Sequence, residues 1–211
     1  MSGAAITRLV GMGRWEPDAR GRLMLAALEL YTGRGYEQTT VADIAQRAGV
    51  TERTFFRHFA DKREVLFDGA HLLQDTVVDA ITAAPASQRP IEVVGAAMER
   101  AAAMMQDRRD FARQRAAAIA ANPSLQEREL LKLAALGAAA AEALRGRGVP
   151  EPAATLAAEA GVAVFKVAFE QWIGDQPDFA ACIRATLGQL EALLCGPAAG
   201  SAFGGDPSMG R

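Results

Sequence analysis

The sequence predicts an all-α protein: a three-helix N-terminal unit built around a helix-turn-helix pattern, followed by a larger helical body. Three observations predict it. Ala is abundant and aromatics are 6% of residues, which suits close-packed helices, and no stretch alternates apolar and polar residues as a strand would. Apolar residues recur at spacings of three and four through most of the 211 residues. Residues 39–62 carry two short helices, each opened by a capping threonine and separated by a glycine.

Residues 1–16 read as a flexible arm. Its Arg8 and Arg14 are placed to reach phosphates, although a disordered terminus accounts for them without a ligand. A first helix is expected from about Pro17 or Asp18 to Arg34, with Leu23, Ala26, Ala27, Leu30 and Tyr31 as its core stripe and Gly35 as its stop. It has the length and place to brace the pair that follows.

In that pair, Thr40 is a good N-cap and Asp43, three residues on, can return the hydrogen bond in a capping box. Val41, Ile44, Ala45 and Ala48 give the helix one apolar face, and Gly49 ends it where a left-handed residue is needed. Thr51 then caps a second helix. Phe55 and Phe59 lie on one side of it, while Arg53, Thr54, Arg57 and His58 lie towards the others. Two readings fit. One is a helical hairpin with a solvated basic face. The other is a helix-turn-helix whose second helix enters the DNA major groove, where Arg can fork to guanine and Thr can meet base edges or phosphates. Glu52 reads as an acid favoured at a helix N-terminus or as an acceptor for cytosine.

Asp61 and Glu64 form a second capping box, so a helix is expected from Asp61 to about Ala83, carrying Val65, Leu66, Leu72, Leu73, Val77 and Ile81. Pro85, Ser87 and Pro90 break it. Ile91, Val94, Met98, Ala101 and Met105 then form a helical stripe, and Phe111 to Ala121 a shorter helix. Ser124 with Glu127 is a third capping box, opening a helix to about Gly146.

The helix from about Glu151 to Ile173 is apolar on two sides: Val162, Phe165, Phe169 and Trp172 on one, Leu156, Ala160, Ala163, Val164 and Val167 nearly opposite. A helix apolar on two sides is packed on two sides, and the second surface is expected to be another subunit. A last helix, about Asp178 to Leu194, sets Phe179, Ile183, Leu187, Leu190 and Leu194 on one broad face and can share that contact. Residues 196–211, rich in Gly, Pro, Ala and Ser, are expected to be a disordered tail.

Net charge is −2, which does not itself mark a nucleic-acid binder. Residues 1–64 hold ten Lys and Arg against eight Asp and Glu, so the N-terminal part is mildly basic and the rest acidic. Cys182 and Cys195, thirteen residues apart on one helix, point to different sides and cannot bridge each other, and inert packing is expected in place of a redox role. No Cys/His cluster has metal-ligand spacing, no glycine-rich loop has nucleotide-binding spacing, and His58 and His71 are the two histidines. An enzyme is therefore not expected, nor a cofactor or a metal. No apolar run reaches the length of a membrane span and the N-terminus is a poor signal peptide, so a cytoplasmic protein is expected.

Ala27-Leu30-Tyr31, Gly35-Tyr36, Thr39 to Ala45, Ala48 to Thr51 and Phe55 to Phe59, followed by Asp61 to Glu64, resemble the tetracycline-repressor (TetR/AcrR) family of bacterial transcription regulators over roughly residues 20–68. The resemblance implies a helix-turn-helix DNA-binding domain at 17–60 and a ligand-binding and dimerisation domain at 61–195. It implies a homodimer, paired through the helices near 151–173 and 178–194, that binds a double-stranded palindromic operator as a repressor and is released by a small-molecule inducer. A DNA-binding dimer governed by a protein partner, or by no ligand, is the alternative. By position, Thr39, Thr40, Thr51, Arg53, Thr54, Phe56, Arg57, His58 and Lys62 are the expected DNA-binding residues. Phe56 stands where the family usually has Tyr. The inducer pocket is expected between helices of 90–175, with Met104, Met105, Phe111, Phe165, Phe169 and Trp172 as candidate walls and an apolar ligand as its occupant.

Overall fold

The computed structural model describes residues 19–195, so the expected arm at 1–16 and tail at 196–211 lie outside the described residues. The described residues form nine α-helices and two short 3-10 turns, with no strand among them. Their packing divides the chain into two compact units, up to Leu66 and from Phe67 onward.

In the first unit, α1 (Ala19–Arg34) buries Leu23, Ala26, Ala27, Leu28 and Tyr31. Leu28 is buried where the expected stripe had Leu30, which is half-buried. Gly35 ends the helix at φ +89°, a region where a Cβ is costly, and its N–H donates to the Tyr31 carbonyl at 3.1 Å. The helices α2 (Val41–Arg47) and α3 (Glu52–His58) follow. Gly49, at φ +68°, makes the turn between them. Ile44, Ala45, Phe55 and Phe59 are all buried, the two phenyl rings 5.7 Å apart.

The helix expected from Asp61 does not form there. Asp61 Oδ1 accepts from the Arg63 and Glu64 N–H groups at 2.8 and 3.1 Å, and what it opens is a 3-10 turn, Glu64–Phe67. Val65, Leu66 and Phe67 are all buried. Three consecutive side chains fan widely in either helix type, across ~200° in an α-helix and ~240° in a 3-10 helix, so their burial means that this turn is enclosed on most of its circumference. The α-helix α4 starts only at Ala70 and runs to Ala83.

The second unit is a bundle of α4, α5 (Pro90–Met105), α6 (Arg109–Ala120), α7 (Pro123–Gly146), α8 (Ala153–Ile173) and α9 (Phe179–Cys195). Each of α5 and α8 packs against the other, and both pack against α9; α4 covers α5 and α7, and α7 covers α8. Two glycines set the closest approaches. A Cβ on Gly161 of α8 would lie 2.1 Å from Val94 Cγ1 of α5, and one on Gly95 of α5 would lie 2.4 Å from Leu187 Cδ2 of α9. The N-cap of α7 is Asn122, not Ser124: its Oδ1 accepts from the N–H groups of Ser124 and Leu125 at 3.0 and 3.3 Å. Pro123 decides this, because a proline fits the first helical position, where its missing N–H has no partner to lose.

The helix α8 buries Val162, Phe165 and Trp172, half-buries Phe169, and leaves Leu156 and Val167 65% and 49% exposed. Val164 belongs to the buried side, contrary to expectation; it lies seven residues after buried Ala157 and so on the same stripe. On α9, Phe179 and Ile183 are buried and Leu187 and Leu190 half-buried, but Leu194 departs from that face and is exposed.

Candidate nucleic-acid interface

Local sequence builds the presented surface. The Thr40 hydroxyl accepts from the Asp43 N–H at 3.1 Å while Asp43 Oδ2 accepts from the Thr40 N–H at 2.8 Å, a complete capping box. Arg34, at the end of α1, pairs with the same carboxylate at 2.5 Å. Hydrogen bonding from Arg34, and then from Thr40, holds the Asp43 carboxyl well below the usual carboxylate range. A lowered carboxyl supports the fold above its ordinary titration range, and that support is lost as pH falls below about 4. Arg34 was not legible as part of this cap, since nothing local links positions nine apart across a turn.

On α3, Thr51 caps the helix by accepting from the Thr54 N–H at 3.2 Å, and its hydroxyl lies 3.1 Å from that of Thr54. Phe55 and Phe59 face inward, which leaves Arg53, Phe56 and Arg57 exposed and Thr54 half-buried at the flank. Thr51, Arg53, Thr54, Phe56 and Arg57 together line one shallow, open concavity. Thr40 is exposed at the start of α2. The result is a short helix fixed by two inward phenylalanines and offering two guanidinium groups, hydroxyls and one bare ring outward. Such a set can fork to base edges, bond phosphates and touch an apolar base substituent.

The other three expected contacts sit elsewhere. Thr39 is fully buried, and its hydroxyl donates to the Gly35 carbonyl at 2.8 Å. His58 is half-buried, with Nε2 buried and without a hydrogen-bond partner. Lys62 turns inward: its Nζ donates to the Tyr36 and Thr39 carbonyls at 2.9 and 3.0 Å and sits 4.2 Å from the centre of the Tyr36 ring. The Tyr31 hydroxyl, pushed up in pKa by burial, donates to the Lys62 carbonyl at 2.6 Å. Lys62 thereby ties the loop before α2 to the segment after α3. Lys62→Met is expected to lower the thermal stability of the chain by about 2 kcal/mol. It should leave the salt dependence of DNA binding unchanged, whereas loss of a phosphate contact lowers that slope by about one.

Of the body's candidate residues, Phe165, Phe169 and Trp172 come together around Phe179. Trp172 stacks on Phe179 at 4.6 Å and 7°, and Phe169 lies 5.9 Å from both. The Trp172 Nε1–H is buried with no acceptor. Met104, exposed, receives the Thr76 hydroxyl on its sulfur at 3.1 Å, and Met105 and Phe111 are half-buried. Cys182 is buried, and desolvation pushes its thiol up, which disfavours the thiolate that redox chemistry needs. No group of three or more His, Cys, Asp or Glu among the described residues has metal-site geometry, and no helix among them is long and apolar enough to cross a membrane.

Two family models match the chain in succession. Residues 23–68 match the bacterial regulatory proteins of the tetR family, and residues 88–194, more than half of the chain, match the MftR C-terminal domain, a tetR-type C-terminal family. The chain belongs to the tetR family of bacterial regulators. As a tetR-family protein it is a DNA-binding helix-turn-helix transcriptional regulator, and α2 and α3 are its helix-turn-helix.

Relatives agree over the N-terminal region. The HTH-type transcriptional regulator TcmR of Streptomyces glaucescens is 40% identical over 78 residues, 37% of this chain and 34% of that protein. The HTH-type transcriptional activator FasR of Mycolicibacterium smegmatis is 40% identical over 48 residues, 23% of this chain and 22% of that one. The matches thus span about a third or less of the length of these curated relatives. The same fold occurs in a TetR-family regulator from Syntrophomonas wolfei, with TM-score 0.59, 18% identity, and coverage of 87% of this chain and 98% of that one. It occurs also in the fatty acid degradation regulator FadR of Bacillus halodurans, with TM-score 0.54, 17% identity, and coverage of 83% and 95%.

Proposed function

We propose that this tetR-family regulator is a repressor that binds a palindromic operator as a homodimer and is released by a small, apolar molecule. The observation that carries the DNA-reading half is the outward face of α3, where Arg53, Thr54, Phe56 and Arg57 stand clear of a core closed by Phe55 and Phe59. Thr40 and Thr51 flank that face as phosphate ligands. His58 and Lys62 act on DNA through the shape of the unit, as does buried Thr39.

The dimer reading rests on α8. Leu156, Ala160, Ala163 and Val167 fall at spacings of four, three and four and form an apolar stripe opposite the buried one, exposed except at half-buried Ala160. On the neighbouring α9, small residues Ala185, Gly188 and Ala192 are also exposed, which lets a second copy approach closely. Leu156→Glu with Val167→Glu is expected to turn a dimer into a folded monomer in sedimentation experiments, and to weaken operator binding at least tenfold. A double variant that remains dimeric would remove this interface.

The ligand reading rests on the Phe165–Phe169–Trp172–Phe179 cluster. An apolar molecule entering between these rings would keep their burial, and an acceptor on it would satisfy the Trp172 N–H. Half-buried Met105 and Phe111 and exposed Met104 are the further candidates for its lining. A small-molecule thermal-shift screen, followed by DNA-release assays on the hits, tests it. Hits that stabilise the protein and free the DNA support the reading; a screen in which no stabilising compound releases DNA points to regulation without a ligand.

A further inference from the structure

We infer that Phe56 is a base-reading residue that selects thymine through its 5-methyl group; the inference rests on α3 being the DNA-reading helix. Phe56 is 56% exposed in the middle of a charged helix face, with the guanidinium groups of Arg53 and Arg57 exposed on the same side. Its ring is not a loose side chain. It stands edge-to-face on buried Phe55, with centroids 5.4 Å apart and planes at 82°, an arrangement that aromatic pairs prefer. The surface it offers is therefore pre-set and apolar.

In the major groove, the methyl group of a base pair is the thymine 5-methyl; cytosine offers only a C5–H at that edge, and the remaining positions are hydrogen-bond donors and acceptors. A phenyl ring can bond none of those. A ring pressed onto a donor or acceptor leaves that group dehydrated and unpaired, so Phe56 disfavours the other bases as well as favouring thymine. Sequence position narrows the site. Phe56 follows Arg53 by three residues, ~4.5 Å along the helix axis, which is close to one ~3.4 Å base-pair step. The thymine should therefore lie within one or two steps of the guanine that Arg53 reads. A shared concavity lined by Arg53, Phe56 and Arg57 gives both contacts one wall.

The test uses the full chain and a duplex selected by it from a random-sequence library. Each thymine of the selected half-site is replaced in turn by deoxyuridine, which removes the methyl and keeps every hydrogen bond. For the wild type, one position should lose about fourfold in affinity per half-site, the equivalent of ~0.8 kcal/mol for one buried carbon, and about fifteenfold when both half-sites are changed. In Phe56→Ala, thymine and uracil should bind equally at that position while the other positions behave as before. Restoration of the methyl preference by Phe56→Leu, with both variants folded at the assay temperature, would support the assignment further. The inference is overturned if no thymine shows methyl dependence, or if the dependence survives in Phe56→Ala. Failure to select any duplex would instead overturn the DNA-reading role of α3, and this inference with it.

Discussion

Trp172→Ala is expected to destabilise the body by about 3–5 kcal/mol, the range for truncating a large buried aromatic. Trp172 is fully buried, stacked on Phe179 and in contact range of Phe169, so its removal empties the middle of a ring cluster. The surroundings cannot collapse cheaply, because Gly161 and Gly95 already let α8 and α9 pack against α5 at the limit of approach. Two features temper the loss. The Trp172 N–H has no acceptor, so the substitution breaks no side-chain hydrogen bond and removes an unpaired donor. The Trp172 carbonyl, which accepts from Arg109 Nε at 2.7 Å, is retained by any residue. Trp172→Phe separates these contributions: it keeps a ring on Phe179 while deleting the N–H, and should cost no more than about 1.5 kcal/mol. Urea unfolding of the wild type and both variants measures this. Equal losses for Ala and Phe would mean that a phenyl ring cannot take the place of the indole on Phe179.

Arg53→Ala is expected to lower operator affinity about ten- to hundredfold and to relax sequence preference at one base pair of each half-site, because a forked guanidinium discriminates guanine by about 1–3 kcal/mol. The fold should not change, since the side chain is exposed and the inward contacts of α3 are made by Phe55 and Phe59. Arg57, one turn on, serves as a control of different kind. As a phosphate ligand its replacement should weaken all sequences alike and lower the salt slope by about one. Fluorescence anisotropy against the selected duplex and single-base variants distinguishes the two. Loss of affinity without loss of preference in Arg53→Ala would reassign Arg53 to the backbone.

What the sequence made legible was what nearest neighbours decide. The Thr40–Asp43 box, the Gly49 turn, the Thr51 cap and the inward Phe55–Phe59 pair are all contained within a few residues of chain, and each occurs as expected. Local signals misled where two local solutions compete. Asp61 and Glu64 open a 3-10 turn as readily as an α-helix, and the 3-10 turn Glu64–Phe67 is what forms. Both Asn122 and Ser124 are capping residues, and Pro123 between them favoured the first. Roles set by distant carbonyls were invisible: the partners of Lys62 lie 23 and 26 residues before it. Nothing local to Lys62 signals these inward bonds. Burial of Val164 on the inner side of α8 left an outer stripe narrower than the periodicity alone suggested.

In the proposed dimer, two copies of α3 read one palindrome. The most direct test of this is a titration of the full chain on the selected duplex, carried out at several salt concentrations alongside a single half-site and a scrambled duplex. Two protomers per palindrome are expected, with half-site centres about 34–36 Å apart or at a related spacing, and a log-log salt slope of several units. The half-site and the scrambled duplex should both bind far more weakly. Binding that is indifferent to sequence and to salt, or saturation by one protomer per palindrome, would contradict it.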